Sequence, residues 1–273
     1  MKTFILKRDI VPASPPLKFA KKILKEARGY DKIVSIGGGS TIDTAKYVAF
    51  HLGIPHKAIP TTAGTGSEVT KFAVFTKHKK KFSIENEKLI PEEFELKPEL
   101  VISCPPNVTV SSGLDALSQG VESYWSPVAN VESKKFAKLA IELSIKYLVR
   151  SYKNPKNKNF RMHMLKAAQS SGRAINITKT SICHAFSYPL TTHYGIPHGL
   201  ACGLMLPIFI KLFDFQLVSL KTINQLLKDL NVDRENLLKN IDKEKLIKLA
   251  FKSSRANNIP FALNKKNIYK LLC

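Results

Sequence analysis

Lys32-Ile-Val-Ser-Ile-Gly-Gly-Gly-Ser-Thr-Ile-Asp-Thr-Ala-Lys46 is the stretch on which the fold turns. Its first five residues form an apolar, β-branched run of strand length, and the three glycines after it permit a tight turn. Ser40 or Thr41 then offers a hydroxyl to cap a helix that the pattern carries to about His51. A second strand is expected over residues 57–60, opening into another small-residue loop, Thr61-Thr-Ala-Gly-Thr-Gly-Ser67. Strand, glycine loop, helix and strand in that order predict a parallel α/β sheet. Toward the N-terminus, a short apolar stretch at 3–6 and helical spacing over 17–27, ended by Gly29, extend the same unit.

Each glycine loop alone is ambiguous, since a turn that only reverses the chain looks the same. Two such loops at the carboxyl ends of neighbouring strands form the crevice in which open α/β sheets hold nucleotides, and the backbone N–H groups of the first would cradle a phosphate. Beyond Pro105-Pro106 the pattern becomes helical, over 113–125, 131–149 and 160–175, with apolar stretches at 200–217 and 226–251. Two domains are therefore expected: a dinucleotide-binding α/β domain over 1–107 and an all-helical metal and substrate domain over 108–273.

The chain has 273 residues and a formal net charge of +22. The excess is lysine scattered along the chain, and its densest run, 77–81, reads as a solvated turn, so a positive field for an anionic cofactor or substrate is favoured over nucleic acid. Cys104, Cys183, Cys202 and Cys273 show no C-x-x-C spacing, which argues against a zinc ribbon or a thioredoxin-like site and for reduced thiols. The start of the chain is too short and charged for a signal peptide and no apolar run spans a bilayer, so a soluble, cytoplasmic protein without a membrane partner is expected.

Asp115 and Gln119 are spaced to share one face of a helix, as are His184 and Tyr188, while His198 is expected on a turn between Pro197 and Gly199. One carboxylate and two imidazoles suit a divalent metal with an open position, although a lone helical histidine is more often packed or exposed.

Gly37-Gly-Gly-Ser-Thr-Ile-Asp43, Thr61-Thr-Ala-Gly-Thr-Gly-Ser-Glu-Val-Thr70, Gly113-Leu-Asp-Ala-Leu117 and Pro197-His-Gly199 together resemble the iron-containing alcohol dehydrogenase family, from about residue 10 to about 210. The resemblance implies an N-terminal nucleotide-binding domain, a helical C-terminal domain, NAD or NADP as cofactor, and iron or zinc as metal. It places Gly38, Gly39, Ser40 and Asp43 on the pyrophosphate and ribose side, and Thr61, Thr62 and Thr70 along the nucleotide, with Lys81 in reach. The family binds its metal with one Asp and three His; Asp115, His184 and His198 fill three positions, and Gln119 stands at the fourth. Its amide oxygen is a weaker donor than imidazole.

The segment from Gly172 to Thr191 resembles the branch that reduces phosphonoacetaldehyde to 2-hydroxyethylphosphonate, with Tyr188 where many members carry a histidine. Arg173 and Lys179 are the cations expected to pair with a phosphonate dianion. Family members carry one or two further βα units before the segment that begins here near Thr3, so the nucleotide domain is expected to be incomplete. The implied chemistry is hydride transfer between a nicotinamide and a carbonyl polarised by the metal, with His193 as a candidate proton relay. Two alternatives stay open: a truncated or degenerate paralogue that binds nucleotide without turnover, and a dehydroquinate synthase-like lyase of the same architecture. The expected partner is a small aldehyde or alcohol, and homo-oligomerisation is left open.

Overall fold

The computed structural model describes residues 2–77, 80–260, 263 and 265–272. Strands β1 (Thr3–Lys7), β2 (Lys32–Gly37) and β3 (His56–Pro60) alternate with helices α1 (Leu17–Glu26) and α2 (Gly39–Leu52). A hairpin, β4 (Phe72–Lys77) and β5 (Lys80–Glu85), and a two-residue strand, β6 (Glu93–Phe94), complete the β structure. The main sheet is parallel throughout, in the order β1-β2-β3-β6. Its first crossovers run through α1 and α2, whose Ile23, Ala45 and Val48 pack with Leu6 and Ile33 of the sheet in one apolar cluster. The expected α/β unit is thus present, with α2 starting directly on the glycine turn.

The hairpin was not anticipated. Its lysine-rich tip reads as solvated turn from composition, yet Lys80 and Lys81 begin β5, while His78 and Lys79 lie outside the described residues. Phe75 and Ala73 of β4 are fully buried against Tyr47 and Ala20, which supplies the apolar contact that keeps an isolated two-stranded ribbon in place.

From residue 106 the chain is helical: α3 (Pro106–Trp125), α4 (Val131–Lys153), α5 (Lys158–Thr178), α6 (Ile182–Tyr194), α7 (His198–Leu212), α8 (Leu220–Asp229), α9 (Arg234–Lys239), α10 (Lys243–Ala250) and α11 (Lys265–Leu272). Pro106 sits in the first turn of α3, where its missing N–H costs nothing, so the helix starts earlier than the periodicity implied. The apolar stretch over 226–251 is three helices, because Asp233 and Asp242 each accept a backbone N–H and restart the chain as N-caps. α7 is apolar on nearly every side, with residues 201–210 all buried, which makes it the central rod of the helical half. His198 belongs to it: the expected turn ends at Pro197, and His198 opens the helix. No helix among the described residues is long and apolar enough to cross a membrane.

Candidate metal centre and nucleotide cleft

A cavity of about 1110 Å³ lies between the carboxyl ends of β2 and β3, the hairpin, and helices α3, α5, α6 and α7. Its sheet-side wall comes from the glycine loops. No side chain caps α2, so the amides of Gly39 and Ser40 are open to an anion at the positive end of the helix dipole. Glycine is needed there because the loops touch: a Cβ on Gly38 would meet Thr62 at 3.0 Å, and one on Gly39 would meet Thr65 at 2.7 Å. Gly39, Ser40, Thr62 and Thr65 consequently line one continuous floor. This arrangement fits the phosphates of a nucleotide.

Other residues expected on the nucleotide side have different settings. Asp43 faces the cleft, but one carboxylate oxygen accepts Ser67 Oγ at 2.5 Å and the other the Val74 N–H at 2.9 Å, pinning α2 to the second loop and to β4. Thr70 also borders the cleft, and both its hydroxyl and its carbonyl accept from Lys46 Nζ, at 3.0 and 2.8 Å. Burial holds Lys46 down to about 8 against the pull of Asp43 and Glu68, and burial raises Glu68 to about 7. Thr61 is buried outside the cleft lining, and its Oγ has no hydrogen-bond partner.

At the far end of the cleft, donor atoms of Asp115, His184, His198 and Cys202 all lie within 4.8 Å of one another. Asp115 comes from the middle of α3, His184 from the first turn of α6, and His198 and Cys202 from the first turns of α7. Hydrogen bonds fix both rings. His184 Nδ1 faces Glu122 Oε2 at 2.5 Å, and its backbone N–H donates to the other Glu122 oxygen at 3.0 Å. Ser187 donates its hydroxyl to the His184 carbonyl at 2.8 Å, which leaves its oxygen to accept from His198 Nδ1 at 3.1 Å. His184 Nε2 faces Asp115 Oδ1 at 3.2 Å, and with each Nδ1 held as a donor, release of the Nε2 proton would make the two Nε2 atoms the ligand positions.

Burial lowers His184, but Cys202 and Glu122 override it and lift the imidazole well above its usual range. Burial would raise Asp115; the hydrogen bond from His184 and the electrostatic influence of His198, His184 and Lys81 bring it below its ordinary value instead. His198 is pushed well below the usual imidazole range by burial and then by Lys81. A buried nitrogen–carboxylate array of this kind, with its outer nitrogens already tied down, fits a divalent cation.

Gln119 lies one turn from Asp115 on α3 and lines the same cleft, with its Oε1 accepting from Ser171 Oγ at 2.8 Å. Lys81 also enters the cleft, 5.6 Å from the Tyr188 ring centroid, and Arg255 lies over the same ring at 4.9 Å. Tyr188 in turn stacks on His198 at 5.7 Å. Neither Lys81 nor Arg255 is paired with a carboxylate among the described residues. Of the two cations expected to meet substrate, one lies outside the cleft and the other is paired at its rim. Arg173 is exposed on α5 against Phe136, outside the cleft lining, and Lys179 at the rim is bound to Glu85 at 2.7 Å. His193 is exposed in the last turn of α6, away from the cleft.

Glu122, Ser187, Cys202 and Arg255 were not singled out from the sequence. Glu122 follows Asp115 by seven residues and Cys202 follows His198 by four, both helical repeats that a search of the whole face would have found. Arg255 carries no local signal.

A glycine crevice that fits phosphates, opposite a buried carboxylate–histidine cluster, gives a single cleft suited to a nucleotide at one end and a divalent metal at the other. Models of two families match in sequence order: "Iron-containing alcohol dehydrogenase" over residues 7–96, and "Fe-containing alcohol dehydrogenase family, C-terminal" over residues 109–218. The chain belongs to the iron-containing alcohol dehydrogenase family. It is 33% identical over 222 residues to long-chain-alcohol dehydrogenase 1 of Geobacillus thermodenitrificans, covering 73% of this chain and 56% of that one. It is 36% identical over 203 residues to phosphonoacetaldehyde reductase of Streptomyces viridochromogenes, covering 64% and 51%. Among solved structures, sulfoacetaldehyde reductase from Bifidobacterium kashiwanohense in complex with NAD+ superposes with a TM-score of 0.91 at 25% identity, over 99% of this chain and 90% of that one. The chain spans about half the length of the curated relatives it matches.

Proposed function

We propose that the protein is a metal-dependent alcohol/aldehyde oxidoreductase using NAD or NADP, and that its substrate is a short aldehyde with an anionic tail, phosphonoacetaldehyde being the favoured case. The carrying observation is that Asp115, His184 and His198 converge in the cleft whose other end is the glycine crevice. These three residues would hold the metal. When bound, the metal supplies Lewis acidity toward a carbonyl oxygen and the nicotinamide supplies or takes up hydride.

The protein's own groups do the rest. The amides of Gly39 and Ser40, with Thr62 and Thr65, hold the cofactor phosphates and so aim its far end along the cleft. Glu122 and Ser187 keep both imidazoles oriented. Lys81 and Arg255, flanking Tyr188 beside His198, take the anionic tail; this role passes to them from Arg173 and Lys179, which are exposed or already paired. Two relatives named for phosphonoacetaldehyde and sulfoacetaldehyde support an anionic two-carbon substrate.

The test is oxidation of NADH and NADPH by the protein loaded with ferrous iron or zinc, with phosphonoacetaldehyde set against neutral aldehydes. Turnover is expected with a KM at least tenfold lower for the anionic aldehyde. Arg255→Ala should raise that KM by roughly 10–100-fold, the worth of a charge-assisted hydrogen bond, and leave neutral aldehydes nearly unaffected. Absence of turnover with every aldehyde at saturating metal would end the oxidoreductase reading. Equal use of charged and neutral aldehydes would end only the anionic part.

A further inference from the structure

We propose that Cys202 is a ligand of the metal, so that this chain binds its cation through Asp115, His184, His198 and a thiolate instead of the family's fourth imidazole. The inference rests on the metal reading above and concerns a residue outside the family's donor set.

The placement of Cys202 follows from how α7 meets α3. His198 and Cys202 are one turn apart and share a face of α7. The residues beside them, Gly199 and Gly203, let that face press directly on α3: a Cβ on Gly199 would lie 2.8 Å from Asp115 Cβ, and one on Gly203 2.8 Å from Leu114 Cδ1. The approach sets Cys202 over Asp115, with its sulfur inside the same 4.8 Å group as the carboxylate and the two imidazoles. A buried cysteine is ordinarily a small apolar filler. Cys183, equally buried one residue before His184, is such a case and lies outside the group, whereas Cys202 is turned toward three polar donor atoms.

The residue at the expected fourth position is already bonded to another helix. Gln119 Oε1 accepts the Ser171 hydroxyl of α5 at 2.8 Å, which leaves a single lone pair on an oxygen that is already a weaker donor than imidazole, and its amide nitrogen has no lone pair to give. A thiolate there has two chemical consequences. Asp115 and Cys202 together balance the charge of a divalent ion, so the centre is less electrophilic than one with a single anionic ligand, and the neighbouring cations Lys81 and Arg255 then matter more for drawing in an anion. The softer sulfur donor also moves the preference from iron toward zinc.

X-ray absorption of the zinc-loaded protein tests this without reference to activity. One sulfur scatterer is expected at about 2.3 Å beside nitrogen and oxygen scatterers at about 2.0–2.1 Å. The cobalt(II) form should show a near-ultraviolet thiolate-to-metal charge-transfer band. Cys202→Ser should lose the sulfur shell and the band and weaken metal binding at least tenfold in chelator competition, while Gln119→Ala should keep both signals. Metal bound by nitrogen and oxygen alone in the wild-type protein would overturn the role of Cys202 and leave the metal reading standing. Failure to bind any divalent metal would overturn both. The wild-type spectra decide the matter even if Cys202→Ser does not fold.

Discussion

Glu122 lies outside the cleft lining, yet it holds His184 through two hydrogen bonds from a fully buried position. Its carboxylate fixes which imidazole nitrogen carries the proton, and Ser187 does the same for His198. Replacing a group that orients a metal ligand commonly costs about 10–100-fold in metal affinity. Glu122→Gln can donate its amide to His184 and reverse the tautomer, so the full loss is expected there; Ser187→Ala should cost about tenfold. Competition with a chromophoric chelator measures both, and unchanged affinity in Glu122→Gln would show that His184 does not bind metal through Nε2. At this scale the sequence was partly legible. Asp115, His184 and His198 stood out through spacing and the motifs around them, and the structure brings them together. Their supports did not stand out, because a glutamate and a serine on an apolar helix look like any buried polar residue until the ring they face is known.

Helix α5 straps the two halves of the molecule together along one of its faces. Gly172 packs on Gly66, Asn176 accepts the Lys71 N–H at 2.8 Å, and Lys179 at the helix end pairs with Glu85 of the hairpin. Gly172 and Asn176 are one turn apart on one face of the helix, and Lys179 follows as its C-cap. A Cβ on Gly172 would fall 2.5 Å from the Gly66 carbonyl oxygen, and Gly66, with φ of +59°, cannot easily move aside. Gly172→Ala is therefore expected to destabilise the protein by about 3 kcal/mol, read as a lowered urea midpoint, and to weaken nucleotide binding by parting the second loop from the helices. In the sheet, His56 of β3 bonds through Nε2 to Ser35 of β2 at 2.8 Å. Burial, with Lys46 adding its charge, holds this histidine down to about 3. Because the unfolded chain takes up the proton first, stability is complete above the ordinary histidine pKa of about 6.5 and declines as pH falls toward 3, by on the order of 4 kcal/mol. His56→Gln should flatten that decline, and a variant as acid-sensitive as the wild type would place the titrating group elsewhere. The parallel unit was readable because strand, glycine turn and helix follow one another in the chain. The hairpin was not, since what holds it is Tyr47 and Ala20, distant in sequence.

The charge of +22 has a specific outlet at the scale of the whole molecule. Among the described residues Lys179 at the rim is paired with Glu85, which Lys71 also meets, while Lys81 and Arg255 project positive charge into the cavity. The candidate metal cluster opposes that field with Asp115, and it ties α3 to α6 and α7, which follow it only after the long helices α4 and α5. A cation bound there closes non-local contacts that the unfolded chain cannot make, so its binding energy appears as stability of the fold. At a free metal concentration of about one hundred times Kd the gain is about 2.7 kcal/mol. For a chain of this size that corresponds to a rise in Tm of roughly 5–10 °C. The expected result is a thermal transition that moves up with zinc, returns on adding a chelator, and does not move in Asp115→Ala. A transition indifferent to zinc would mean that α3, α6 and α7 are held by their apolar packing alone and that the cluster does not bind the ion.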